Sequence, residues 1–365
     1  MNYGIRWTRP LFVALLGMAS ALAHAESATD VSPICTTVSH ATNDDDLLSR
    51  GSHCFVSDEQ EYVVKNDENA EIGRVGFLAY TYSDNPLNQL SWTLKFRFRA
   101  RVISGNPSGV MIKPVVECGS ACTVAPNAGV TLMVGGLSAE ENVTLTPNLG
   151  DNNPLRFTPS IEIRAVKTGE SFDNGPSLAF YGGVTNVSQI RCDVGLAKAG
   201  TQGCVYERAP AVLRTITLGN PDVDESARHI LEAQQEGLPG RFVSRGDGTI
   251  FADSSASPLT RLRDASLRAS NRAASKAQCV AKFGTVTGQC TFTGDPDEVP
   301  SDCDCDEYPF AATNEGAAFG NVSVKRIDAS DNRRAGAFLG NFYLNQRVLD
   351  GDPFFVEVGS ASAKR

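Results

Sequence analysis

The chain has 365 residues, with 33 Lys+Arg against 42 Asp+Glu, ten Cys, 33 Gly, 18 Pro and 41% hydrophobic residues. That balance excludes disorder, collagen and coiled coil, and the length suits two domains of roughly 100–200 residues each. A formal charge of −9 excludes global positive charge as the source of any attraction.

The first 25 residues carry Arg6 and Arg9, an apolar run over 11–22, and Ala23-His24-Ala25 ahead of Glu26. This is the pattern of a secretory signal peptide cleaved after Ala25, and it predicts a secreted or periplasmic protein. The apolar run is shorter than the ~20 residues a membrane-spanning helix needs, and none like it follows, so no membrane association is expected. No Cys follows the cleavage site, which argues against a lipid anchor there. Loss of Arg6 and Arg9 leaves 31 basic and 42 acidic side chains, a mature net charge of −11.

All ten cysteines lie beyond the signal: Cys35, Cys54, Cys118, Cys122, Cys192, Cys204, Cys279, Cys290, Cys303 and Cys305. An even number in an exported chain points to disulfides. Sequence neighbours invite the pairs Cys35–Cys54, Cys118–Cys122 and Cys192–Cys204, and the last four form two bridges whose connectivity is open. Zinc is the rival reading, but CxxC spacing and a nearby His are missing.

From about residue 60 to 218 the pattern is strands and turns. The clearest strand places Leu90, Trp92, Leu94, Phe96, Phe98, Ala100 and Val102 on one face and Lys95, Arg97, Arg99 and Arg101 on the other. Further β-rich runs cover 110–116, 130–134, 161–166, 178–181 and 212–218, with no helical interruption. Residues 26–218 are therefore expected to form an all-β antiparallel sandwich.

Near Gly219-Asn220-Pro221 the character changes. A helix is predicted over 227–235, closed by Gly237 and Pro239. A second is predicted from Pro258, capped by Ser257, to about Gln278. On it Leu259, Leu262, Ala269 and Ala273 form a core stripe, while Arg261, Arg268, Arg272 and Lys276 form a basic stripe facing solvent or ligand. Acidic residues concentrate instead at Asp295, Asp297, Glu298, Asp302, Asp304, Asp306 and Glu307. Such a cluster repels itself unless a cation or a basic surface compensates it, so it is either a hydrated loop or a site for a hard divalent cation.

The run Cys305-Asp306-Glu307-Tyr308-Pro309-Phe310-Ala311, then Glu315-Gly316, an apolar stretch at 322–327, Ser330-Asp331-Asn332-Arg333 opening a helix, and a terminal strand at 353–358 resembles the NucA/NucB family of secreted bacterial deoxyribonucleases. His229-Ile230, Leu259-Thr260-Arg261-Leu262 and Asn271-Arg272 are similar to longer members. The resemblance spans residues 223–358 and implies an α+β nuclease domain with a ββα-metal type core, in which two strands and a helix bring a base and metal ligands to one phosphate.

In the roles that the resemblance implies, Asp306 is the general base for the attacking water. Glu307 is a second ligand or orients a metal-bound water, and Arg333 steadies the pentacovalent phosphate. Asn332, with Glu315 and Asn341, contributes to holding Mg²⁺ or Mn²⁺, which neutralises charge on the phosphate. Asn341 is placed near the face of Asn332, Asp331 at its own helix N-terminus as a cap, and His229 as a packing residue. Arg261, Arg268, Arg272 and Lys276 supply the local positive charge that DNA needs on an acidic protein.

Nothing resembles a base-reading motif, so cleavage of DNA is expected to be largely sequence-nonspecific, with RNA left open as a further substrate. The partner of the N-terminal segment is not legible. A second reading is a secreted binding protein whose nuclease-like domain has lost catalysis; the presence of Asp306, Glu307 and Asn332 together favours the enzyme. A third, a glycosidase, is disfavoured because Asp306 and Glu307, adjacent on a strand, point to opposite faces.

Overall fold

The computed structural model describes residues 31–35, 46–174, 177–178, 188–285, 289–291 and 301–360. The signal segment and Asp295, Asp297 and Glu298 lie outside these. Among the described residues the protein is mostly β, with antiparallel sheets and three α-helices.

The N-terminal portion contains β1 (Ser52–Val56), β2 (Gln60–Lys65), β3 (Glu71–Asp84), β4 (Trp92–Gly105), β5 (Val110–Glu117), β6 (Cys122–Val124), β7 (Val130–Thr131), β8 (Glu141–Pro147), β9 (Leu155–Phe157), β10 (Ser160–Lys167), β11 (Ser177–Leu178), β12 (Ile190–Val194) and β13 (Gln202–Tyr206). One sheet runs β1-β3-β4-β8-β6 with β2 also on β3, a second runs β11-β10-β5-β7, and β13-β12-β9 form a third. The predicted run 178–181 is strand at Leu178, and residues 179–181 lie outside the described residues.

The alternation on β4 holds from Trp92 to Ala100, whose side chains are buried with Val75, Phe77 and Val143 of their own sheet and Ile112 and Ile163 of the second. Val102 departs from it and is exposed. The pairing with β3 shifts register opposite Val102–Ser104, and a one-residue shift breaks the period of two. The basic face of β4 is compensated from within the fold, since Lys95 meets Glu140 and Arg101 meets Glu59.

The C-terminal portion begins earlier along the chain than the composition change near 220. Strand β14 (Val212–Leu213) runs parallel to β19 (Pro353–Val356), which also pairs antiparallel with β15 (Leu259–Thr260). Around this sheet pack α1 (Asp224–Gln235) and α3 (Ala329–Asn345), burying Ala211, Leu213, Ile230, Leu339 and Phe342 in a second core. Phe251 returns to the first core, so the two portions interlock rather than hang on a linker.

Helix α2 (Ala265–Phe283) begins later than Pro258. Asp264 caps it by accepting from the N–H groups of Ser266 and Leu267, both at 2.9 Å, which satisfies donors the first turn leaves free. Leu259 and Leu262 are buried ahead of the helix, but Ala269 and Ala273 are exposed. The face α2 buries is Asn271, Ser275 and Cys279, a polar stripe at helical spacing that an apolar pattern does not reveal.

All ten cysteines are paired. The three neighbour pairs form as expected, and the remaining four join as Cys279–Cys305 and Cys290–Cys303.

Buried charge joins the two portions. Arg347, ahead of β19, donates through Nε to Asp193 Oδ2 of β12 at 2.8 Å. Arg191 of β12 donates to both carboxylate oxygens of Asp352, at 2.9 and 2.8 Å, and to the Arg347 carbonyl at 2.6 Å. Arg191, Asp193 and Arg347 are all sealed from solvent.

Candidate active site

Strand β17 (Ser301–Tyr308) pairs antiparallel with β18 (Ser323–Asp328), setting Asp306 opposite Lys325 and Glu307 opposite Val324. On the other edge β16 (Gln289–Cys290) covers only Ser301 and Asp302. Among the described residues, the Cys305–Tyr308 stretch therefore has one unpaired edge, and α3 lies along it: Asn332 Nδ2 donates to the Cys305 carbonyl at 3.4 Å. Helix α3 starts directly after β18, capped by Asp328, which accepts from the N–H groups of Ser330 and Asp331.

Asp331 caps a different helix from its own. Its carboxylate accepts from the N–H groups of Glu225 and Ser226, at 2.9 and 3.1 Å, and from the Ser226 hydroxyl, so it satisfies the first turn of α1. Burial raises its pKa despite these donors.

Helix α2 is tied to the same strand by Cys279–Cys305, one residue before Asp306. About two turns earlier on α2, buried Asn271 donates to the carbonyls of Ala311 and Thr313 and accepts from the Ala318 N–H, organising the turn after β17. Glycine is required at 316, because a Cβ there would lie 2.3 Å from Asn271 Nδ2, an atom these bonds prevent from moving. Glu315 serves the same turn by accepting from the Thr260 N–H at 2.9 Å and does not border the cleft.

The cleft, of about 170 Å³, lies between the three helices at the unpaired edge of β17. Asp306, Glu307, Asn332, Arg268 and Arg272 all border it. Adjacent strand residues reach one cavity here because it opens at the strand's edge rather than over one face. Arg268 Nε is buried with no hydrogen-bond partner among the described residues, a donor left available to a ligand.

Asp306 is 8% exposed, and its Oδ2 accepts from His229 Nδ1 at 2.7 Å. His229, on α1 and 1% exposed, also meets the Ser323 hydroxyl through Nε2 at 3.0 Å. Glu307 accepts from the Ala311 N–H at 3.3 Å. Burial first, and then the charge of Asp306, push the Glu307 carboxyl up to about 8.

The other predicted residues lie elsewhere. Arg261 precedes α2, stacks on the Tyr343 ring at 4.5 Å and donates to the carbonyls of Val348 and Ala197, so it joins the two portions. Lys276 is exposed two turns beyond Arg268 on α2, and Arg333 is exposed on α3 outside the cleft lining. Asn341 is nine residues from Asn332, a rotation of roughly 900° or half a turn net. It borders a separate, larger cavity of about 1140 Å³ with Phe338 and β14.

Among the described residues no three His, Cys, Asp or Glu side chains form a metal cage. The cleft does offer hard oxygen donors: the neighbouring carboxylates of Asp306 and Glu307, and the amide oxygen of Asn332, whose Nδ2 donates to the Cys305 carbonyl. This suits a cation such as Mg²⁺, which keeps several waters and takes one or two carboxylates.

The role of His229 as the partner of Asp306 is the main feature sequence reading missed. The available signal was its place at the i+3 position from Ser226 on the buried face of α1, where an imidazole needs a polar partner.

No curated protein matches the chain. A solved structure, a crystal structure of the yeast GGA1 GAE domain, aligns over 35% of this chain and 98% of its own at 10% identity and a TM-score of 0.17, which carries no argument. Residues 255–357, which hold every protein group of the cleft except those from α1, match the family model for deoxyribonuclease NucA/NucB, so the C-terminal region is similar to that family.

Proposed function

We propose that this protein is an exported, metal-dependent and largely sequence-nonspecific endonuclease that hydrolyses DNA phosphodiester bonds, with β17, β18 and α3 as a ββα-metal type core. The observation that carries this reading is the convergence of Asp306, Glu307, Asn332, Arg268 and Arg272 on one cleft. The guanidinium groups of Arg268 and Arg272 hold a backbone phosphate and draw no distinction between bases. Asp306, through the carboxylate oxygen not engaged by His229, takes a proton from the attacking water. Glu307 and Asn332 are the residues that hold Mg²⁺ or Mn²⁺; when bound, the cation supplies neutralisation of charge on the phosphate. The N-terminal portion, a β-sandwich accessory unit in this reading, serves as the body on which the nuclease is mounted.

The test is nicking of supercoiled plasmid by oxidised mature protein with Mg²⁺ or Mn²⁺, with EDTA, and with Asp306→Ala. The expected result is metal-dependent nicking, abolished by EDTA and reduced at least about 10²-fold in the variant. A thermal shift on adding Mn²⁺, lost in Glu307→Gln, gives a readout independent of cleavage. Full activity of Asp306→Ala would overturn the assignment, and absence of cleavage with any divalent metal would favour a binding protein.

A further inference from the structure

We propose that His229 and Ser323 form a positioning relay that holds the Asp306 carboxylate in the orientation its role as a base requires. The inference rests on the nuclease reading above and deepens it. Three observations carry it: the 2.7 Å contact between His229 Nδ1 and Asp306 Oδ2, the 3.0 Å contact between His229 Nε2 and Ser323 Oγ, and the burial of His229 to 1% exposure.

The directions of these bonds follow from the chemistry of the partners. An ionised carboxylate only accepts, so Nδ1 carries the hydrogen. Ser323, whose hydroxyl can donate, then supplies its proton to the bare Nε2 and fixes that tautomer. One carboxylate oxygen is thereby occupied from behind, and the other is left for water on the cleft side.

The need for such a hold is local. Asp306 is buried at the cleft, and its Oδ2 has His229 as its side-chain donor. A buried carboxylate oxygen without a donor is costly, so without His229 the group would rotate about χ2. In the reaction, the water O–H bond breaks and its proton passes to Asp306. The water oxygen bonds to phosphorus as the P–O bond to the leaving nucleoside breaks, and the leaving oxygen takes a proton from solvent. His229 exchanges no proton and touches no substrate.

The relay is anchored independently of the substrate. The α1 N-terminus is held by Asp331, Glu232 on the same helix meets Lys325 at 2.7 Å, and Gln234 donates to Tyr308 Oη at 3.0 Å. The other buried histidine of the described residues offers a contrast. His53 meets Ser83 and Tyr206 through Nδ1, leaves Nε2 without a partner, and lies in the N-terminal core with no carboxylate bonded to its ring. Burial of a ring therefore accounts for His53, whereas at His229 both nitrogens are committed and one of them to the cleft.

The experiment compares wild type, His229→Leu, His229→Asn, Ser323→Ala and Asp306→Ala in plasmid cleavage, with kcat and KM separated and thermal midpoints recorded. Leucine removes the donor and should lower kcat about 10- to 100-fold with KM within about twofold. Asparagine carries an N–H near the Nδ1 position and should restore kcat to within about fivefold of wild type, and Ser323→Ala should lower kcat severalfold. A loss that follows the thermal midpoint, equal for Leu and Asn, would overturn the relay, as would wild-type kcat in His229→Leu. If His229→Leu fails to fold, wild-type kcat in Ser323→Ala overturns it. An inactive Asp306→Ala beside a fully active His229→Leu defeats this inference alone, whereas an active Asp306→Ala defeats the nuclease assignment beneath it.

Discussion

Glu307 shows how one side chain can report on the cleft. Its folded pKa of about 8 lies above the ordinary carboxyl value of 4.5, because burial and the neighbouring Asp306 both oppose its charge. Between those values the folded protein holds a proton that the unfolded chain has released, so this group makes stability fall as pH rises from about 4.5 to 8. The thermal midpoint of EDTA-treated protein should therefore decline across that window through this group, and Glu307→Gln should remove much of the decline. Saturating Mn²⁺ should also flatten it, since a cation favours the carboxylate. An identical slope in Glu307→Gln would show that the carboxyl is not in this environment. At the same scale, Asn271 and Gly316 form a fitted pair across 45 positions of sequence, the side chain of one occupying the space a Cβ of the other would need.

Among the elements, α2 carries the most function for its size. Its buried face holds Asn271 on the turn after β17 and Cys279 on β17 itself, and this aims Arg268 and Arg272 into the cleft. Each of these arginines that meets a phosphate should contribute about one released counterion, so Arg272→Ala should weaken DNA binding and reduce the salt slope by about 1. Arg261→Ala should leave that slope unchanged, because its guanidinium is stacked on Tyr343 and bonded to carbonyls. Filter or fluorescence binding across a salt series separates the two, and equal slopes for both variants would contradict the placement. The Cys279–Cys305 bridge closes 26 residues, which by chain entropy is worth on the order of 3 kcal/mol.

For the whole molecule, the consequential feature is the buried charge between the two portions. Arg347 and Asp193 meet without solvent, and Arg191 links Asp352 to Glu207. Removing one member leaves its partner charged and buried, so Asp193→Ala should cost about 3–5 kcal/mol. The interlocked cores imply that the loss appears as a lower midpoint of one cooperative transition; two resolved transitions in calorimetry would show instead that the portions unfold independently. Strand β14 adds to this coupling, since a fragment starting at residue 223 would lack the parallel neighbour of β19.

Much of this protein was legible as sequence because it depends on neighbours along the chain. Alternation along β4 follows from a two-residue period, three disulfides follow from short separations, and Asp306, Glu307, Asn332, Arg268 and Arg272, singled out from the sequence, border one cleft while Arg261, Lys276 and Arg333 do not. The misplacements have equally physical causes. Ala269 and Ala273 suited an apolar stripe, yet α2 buries Asn271 and Ser275 because hydrogen bonds to a turn outweigh apolar area there. Asn341 lies half a helical turn from Asn332, and Asp331 serves another helix because its own was already capped by Asp328. Residue types and local periods determined the β-rich N-terminal portion and the cysteine chemistry, and the run from Cys305 to Arg333 carried the resemblance to a nuclease family. Only the tertiary structure decided that His229 meets Asp306 across 77 residues, that Cys279 pairs with Cys305, and that charge buried between the two portions joins them. Those contacts depend on how helices and strands dock in three dimensions, and no local pattern along the chain encodes which distant surfaces meet.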